Sequence, residues 1–170
     1  MNYFGVETIE TDEGIWLKKI YRRGTKTQSE ESSNYQIIKS INLQNTPDLT
    51  PALTVIASAT NAEVKLSGLK NLKIKESDRL QALETELKKC GFSVNAKDDS
   101  LFIHPVSNFQ LPTSNIRFET HNDHRIAMAF APLAILFDEV IIENPDVVEK
   151  SYPTFWSDLK LSEFELEFNN

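Results

Sequence analysis

The sequence predicts an α/β fold in which strands and helices alternate within a repeated unit and the central helices are buried. Three observations carry that prediction. Asp48 and Asp123 stand 75 residues apart, and so do Lys75 and Lys150. Each aspartate precedes an apolar helical run and then a short strand, Val64-Lys65-Leu66 in the first copy and Val140-Ile141-Ile142 in the second. From Arg79 onward, Leu80, Leu83 and Leu87 recur three and four apart on one face, the period of an amphipathic helix. The repeated unit is therefore a strand, an acid at a helix start, a helix, a strand and a lysine at a second helix start. Equivalent ends of a repeated unit lie on one edge. That edge is expected to gather Asp48, Lys75, Glu76, Arg79, Asp123, Arg125 and Lys150.

A chain of 170 residues fits one domain and is long enough to bury a core. Its 40% hydrophobic and 25% charged residues are an ordinary globular composition. A net charge of -7 and a pI near 5.0 argue against nucleic-acid or membrane-surface partners, so any ligand-binding cations act locally. The single cysteine, Cys90, forms no internal disulfide, and its place before Gly91 at a helix end fits a reduced, cytoplasmic protein. Nothing in its surroundings marks it as an activated nucleophile. No signal-peptide pattern opens the sequence at Met1. The longest apolar run, Ile126 to Phe137, is too short to span a bilayer, and Pro132 within it predicts a central buried helix with a kink.

Taken in order, residues 1–19 read as the end hairpin of a truncated unit, with Val6 and Ile9 on one arm, Ile15 and Leu17 on the other and a turn at Asp12-Glu13-Gly14. Residues 20–35 carry Gly24, two threonines and three serines, bury little and read as a mobile loop in which Arg22 and Arg23 are solvated. Residues 36–105 read as one complete unit of order βαβαββ. Its first strand, Gln36 to Leu43, alternates Ile37 and Ile41 with polar residues. Thr46 is then expected to cap a helix with Pro47 in its first position and Asp48 in its first turn. That helix, Leu49 to Ser58, is apolar on most faces and is expected to be largely buried.

Gly68 ends the strand that begins at Val64. The helix after the charged junction runs to about Lys89 with a Glu84–Lys88 pair, and Gly91 is placed to cap it. Phe92, Val94 and Ala96 alternate into a turn at Asp98-Asp99-Ser100, from which Leu101 and Ile103 return, and His104 before Pro105 reads as a loop residue. Residues 106–170 read as the last unit, starting at Ile116-Arg117-Phe118. They close on an edge strand in which Phe164, Leu166 and Phe168 alternate with glutamates.

Asn71-Leu72-Lys73-Ile74-Lys75-Glu76-Ser77-Asp78-Arg79 reads as a strand-to-helix junction dense in charge. Ser77 and Asp78 suit a first helical turn, whereas Lys75 and Arg79 have the wrong sign for the macrodipole. With the unpaired N–H groups of the helix start they make an anion site. Glu76 among these cations is a candidate proton-transfer group whose pKa they can move. A solvated helix start with a Glu76–Arg79 pair also accounts for the stretch, and capping alone accounts for Asp48. The recurrence of acid and cations at His121-Asn122-Asp123-His124-Arg125 favours a ligand that is both phosphorylated and carboxylated. His121 and His124 flank Asp123 at a spacing that can serve a metal, but no third ligand cluster or cysteine pair supports one, and no metal is expected.

Three motifs agree in order and spacing with a known family. Asn71 to Arg79, Asn122-Asp123-His124-Arg125-Ile126-Ala127-Met128 and Lys150-Ser151-Tyr152-Pro153 closely resemble the C-terminal part of the 5-enolpyruvylshikimate-3-phosphate synthases, the carboxyvinyltransferases of the shikimate pathway. The resemblance runs from about Gln36 to Lys160 and is weaker over Phe4 to Lys18. It implies an enolpyruvyl transferase fold of two lobes, each with three βαβαββ units. This chain then corresponds to one partial lobe, and the N-terminal lobe is its implied partner.

The resemblance also implies roles for residues. The family moves the enolpyruvyl group of phosphoenolpyruvate onto the 5-hydroxyl of shikimate 3-phosphate by addition and then elimination of phosphate. Asp48 matches the base that also holds the shikimate hydroxyls, and Glu76 matches the acid near the methylene carbon. Asn71 and Lys75 match contacts to shikimate 3-phosphate, and Arg79, Arg125 and Lys150 match the clamp on phosphoenolpyruvate, with Asp123 and His124 as a polar frame. The pattern implies no metal or organic cofactor. Lys73 stands where arginine is common, which is expected to be a minor change on a strand edge.

Three other readings remain open: a non-catalytic ligand-binding or structural fragment, a relative of the UDP-N-acetylglucosamine enolpyruvyl transferases, and a non-enzymatic repeat protein. The Lys-Glu-Ser-Asp-Arg run and the Asp-His-Arg triplet favour shikimate over the nucleotide sugar.

Overall fold

The computed structural model describes residues 6–11, 14–19, 40–75, 77–107, 116–137, 139–162 and 164–166. Strands β1 (Val6–Thr11) and β2 (Gly14–Lys19) form an antiparallel hairpin with Val6 opposite Lys19 and Thr11 opposite Gly14. The loop expected at residues 20–35 lies outside the described residues, as does the first part of the strand expected from Gln36. What remains of that strand is β3 (Ile41–Asn42), which runs parallel to β4 (Val64–Ser67) across helix α1 (Thr50–Ala59). Helix α2 (Arg79–Lys89) leads to β5 (Ser93–Lys97) and β6 (Ser100–His104), giving a four-stranded sheet of order β3-β4-β6-β5. A second pair, β7 (Ile116–Phe118) and β8 (Val140–Ile142), is parallel across helix α3 (His124–Phe130), and helix α4 (Phe155–Leu161) follows.

The 75-residue offset holds element by element. Strand β3 corresponds to β7, α1 to α3 with its extension, β4 to β8, and α2 to α4. Even the short 3-10 helix Lys70–Ile74, just before Lys75, has a counterpart in the 3-10 helix Pro145–Val148, just before Lys150. The central helices α1, α2 and α3 pack against one another. One apolar core crosses both copies, with Leu66, Leu72, Leu80, Leu83 and Leu87 of the first meeting Phe118, Ile126 and Phe130 of the second. Among the described residues no helix is long and apolar enough to cross a membrane.

Several local expectations need correction. Thr46 makes no side-chain cap, because a 3-10 turn, Pro47–Leu49, precedes α1. Helix α1 buries a narrower face than its composition suggests: Thr50, Thr54 and Ser58 lie inside while Leu49 and Ile56 are exposed. The junction at Asn71 is not a strand edge but the 3-10 helix already named, held by the Asp98–Asp99 turn. The Asp99 carboxylate accepts the Lys70 N–H at 2.8 Å, and Lys73 pairs with Asp98 at 2.5 Å.

Helix α2 starts at Arg79, so Ser77 and Asp78 precede its first turn rather than form it, and the Asp78 side chain accepts the Gln81 N–H as its cap. His104 is the last residue of β6, stacked on Phe102, rather than a loop residue. Pro132 does more than kink the third helix, because α3 stops at Phe130 and the chain tightens into a 3-10 helix over Ala131–Ile135. Residues 164–166 are not a strand; the Phe164 N–H instead reaches back to Leu159 O at the end of α4.

Candidate functional site

The starts of α1, α2 and α3 meet at a cluster of charge. Asp123 caps α3: its Oδ1 accepts the Arg125 N–H at 2.9 Å. Its Oδ2 accepts from Arg79 Nε at 2.6 Å, and both side chains are buried. Arg79, the first residue of α2, also reaches Asp48 with Nη1 at 3.2 Å. Arg125 Nη2 approaches the other oxygen of Asp48 at 3.0 Å. Asp48 is thus held between two guanidinium groups, one from each copy of the unit, and its side chain remains 46% exposed.

The order from buried to exposed sets what each group can do. Arg79, 1% exposed, is tied to Asp123 and Asp48, so it acts as a fixed charge behind the surface rather than as the open anion site expected at the helix start. Arg125, about a third exposed, and Asp48 form the face that a ligand meets. Fixed positive charge beside a carboxylate suits an anion whose charge changes during a reaction, because the protein need not reorganise to meet it.

Of the seven residues expected on one edge, the structure links Asp48, Arg79, Asp123 and Arg125. Lys75 and Lys150 occupy equivalent exposed positions after equivalent 3-10 helices, and neither makes a side-chain ion pair among the described residues. Asn71 is exposed within the first of those helices. His124 opens α3 and is half-buried. Glu76 lies outside the described residues, and with it the expected Glu76–Arg79 pair.

A second polar network escaped the sequence reading. Glu86, buried inside α2, accepts from Lys89 Nζ at 2.6 Å and from the Glu119 N–H at 3.1 Å, and its other oxygen lies 3.0 Å from His121 Nε2. The signal was present but unread: a glutamate at the i+3 position from Leu83 falls on the buried stripe of α2. His121 and Asn122 both take left-handed backbone conformations, with φ of 50° and 56°. Each such residue costs about 1–2 kcal/mol. The His121–Asp123–His124 spacing does not form one cluster, since His121 turns to Glu86 and Asp123 to Arg79. The ligand atoms of Glu86, Glu119 and His121 do lie within 4.8 Å of one another. The Lys89 ammonium on Glu86 opposes a cation there.

Comparisons with known proteins identify the family. The family model of EPSP synthase (3-phosphoshikimate 1-carboxyvinyltransferase) matches residues 7–159. The chain belongs to the EPSP synthase family. A 3-phosphoshikimate 1-carboxyvinyltransferase of Bacteroides fragilis is 37% identical over 163 residues, covering 96% of this chain and 37% of the relative. One from Clostridium kluyveri is 41% identical over 121 residues, 71% of this chain and 28% of the relative. An EPSP synthase structure from Acinetobacter baumannii superposes with a TM-score of 0.57 at 29% identity, covering 72% of this chain and 30% of that one. The EPSP synthase fold is thus shared, and the α/β class expected from the sequence is the one observed. The chain spans 37% of the length of the Bacteroides relative.

Proposed function

We propose that this chain carries one face of a carboxyvinyl-transfer site, at which the enolpyruvyl group of phosphoenolpyruvate passes to the 5-hydroxyl of shikimate 3-phosphate with release of phosphate. The observation that carries this reading is Asp48, partly exposed and held between Arg79 and Arg125 from the two copies of the unit. In the first step Asp48 takes the proton of the attacking hydroxyl while the hydroxyl oxygen bonds to the central carbon of phosphoenolpyruvate. Glu76 delivers a proton to the methylene carbon. In the second step that methyl carbon returns a proton, the double bond re-forms and phosphate leaves.

Arg125 and Lys150, with Arg79 behind them, hold the carboxylate and phosphate of phosphoenolpyruvate, and Arg125 meets them through its planar fork. Asn71 and Lys75 hold shikimate 3-phosphate, and Asp123 and His124 frame the arginines. The exposure of Lys75 and Lys150 after equivalent 3-10 helices suits ligand contact. None of these steps calls for a metal or organic cofactor. We assign the remaining ligand contacts to a second lobe, within the part of the relatives' length that this chain does not match, and the working location to the cytoplasm.

Phosphate release from phosphoenolpyruvate in the presence of shikimate 3-phosphate tests the reading. The chain alone is expected to show little or no turnover. A chimera in which it replaces the matching segment of the Bacteroides relative is expected to turn over, and to lose activity in Asp48→Ala. An active chimera indifferent to Asp48→Ala would overturn the assignment.

A further inference from the structure

Helix α2 grips the segment Glu119 to Arg125 at two points on one face. Arg79 and Glu86 are seven residues apart, two helical turns, so their side chains leave α2 on the same side. Arg79 holds Asp123. Glu86 holds the Glu119 N–H and the ring of His121, the first of the two left-handed residues His121 and Asn122. A turn with two such residues in succession is a conformation that persists only where its surroundings over-determine it. Lys89 in turn fixes the Glu86 carboxylate.

We infer that Glu86 is a positioning residue: by clamping the turn it sets Asp123 against Arg79 and thereby fixes Arg125 beside Asp48. The inference rests on the carboxyvinyl-transfer reading only where ligand affinity is used to test it. Glu86 itself touches neither Asp48 nor Arg125 among its hydrogen-bond partners, so its effect on the site passes through the turn.

The test is hydrogen exchange at the Arg79 Nε–H, followed by nitrogen-15 NMR in the full chain, together with titration by phosphoenolpyruvate in the presence of shikimate 3-phosphate. Glu86→Ala and His121→Asn are each expected to speed that exchange by about tenfold or more through local opening. Asparagine keeps the left-handed backbone within reach while removing the ring. Glu86→Gln, which retains an acceptor for the Glu119 N–H, is expected to fall between wild type and alanine. Glu84→Gln is the control, because Glu84 accepts the Ala96 N–H from the same helix without touching the turn. It is expected to leave the Arg79 signal unchanged.

Should Glu86→Ala fail to fold, His121→Asn decides. Wild-type exchange at Arg79 in a folded Glu86→Ala or in His121→Asn would overturn the clamp. Where wild type binds phosphoenolpyruvate, the two variants are expected to lose affinity only in proportion to the closed fraction they lose, so exchange at Arg79 is the deciding readout. Absence of binding in wild type would count against the carboxyvinyl-transfer reading alone, while the exchange data still decide the clamp.

Discussion

Asp123 is the residue on which most of the site depends, since one carboxylate caps α3 and pairs with a buried arginine. Removing one partner of a buried pair leaves the other uncompensated, so Asp123→Ala is expected to lose about 3–5 kcal/mol in urea unfolding. The sequence made Asp123 and Asp48 legible through their 75-residue spacing. It did not reveal that Arg79 lies almost wholly buried between them, because a helix-start arginine reads as solvated until the packing of a distant repeat is known. Glu86 differs, since its i+3 spacing from Leu83 put it on the buried stripe of α2; only its partners at Glu119 and His121 lay beyond any local window. Cys90 yields a pH prediction. Burial, with the Glu86 charge adding to it, pushes the thiol up to about 12 from its ordinary value of 9.0. The native state therefore keeps a proton that the unfolded chain gives up, so this contribution to stability is full below pH 9 and falls as pH rises toward about 12. Comparing urea midpoints of wild type and Cys90→Ala from pH 7.5 upward should show a steeper alkaline loss in wild type. At neutral pH the buried thiol should react with disulfide reagents only after unfolding.

At the scale of elements, the punctuation written as glycine and proline was the most readable part. Gly91, at φ of 78°, ends α2 with its N–H on Lys88 O while Phe92 N–H returns to Leu87 O, the two bonds of a Schellman motif. Gly68 is under a stricter constraint. At φ of 77° an added Cβ would come within 2.6 Å of Asn42 Oδ1 and 2.7 Å of Gln44 N. Gly68→Ala is accordingly expected to cost about 1–3 kcal/mol by thermal or urea unfolding and to disturb the pairing of β3 with β4. Pro132 reads as a kink within one helix, whereas regular α-helix ends at Phe130 and a 3-10 helix follows. What composition could not settle was which face of α1 is buried, since its threonines and serine enter the core in place of Leu49 and Ile56. Burial of short hydroxyl side chains follows from how closely α1, α2 and α3 approach, a tertiary fact absent from any local window. The 3-10 helix at Lys70 likewise depends on Asp98 and Asp99 from a hairpin some 25 residues away.

Among the described residues from β3 onward, two copies of one strand–helix–strand–helix unit share a core, and the candidate site lies where the starts of their equivalent helices α1 and α3 meet. The repeat itself was legible because two acids and two lysines keep one spacing, whereas the convergence of Lys75 and Lys150 on those acids belongs to the proposal. If the two copies already hold Asp48 between their arginines, part of the ligand site should exist before any lobe closes over it. Calorimetric titration of the chain with shikimate 3-phosphate, first alone and then with phosphoenolpyruvate, tests this most directly. A weak, saturable heat that disappears in both Asp48→Ala and Lys75→Ala is the predicted result. No heat at any accessible concentration, or binding that survives both substitutions, would contradict a half-site built by this chain.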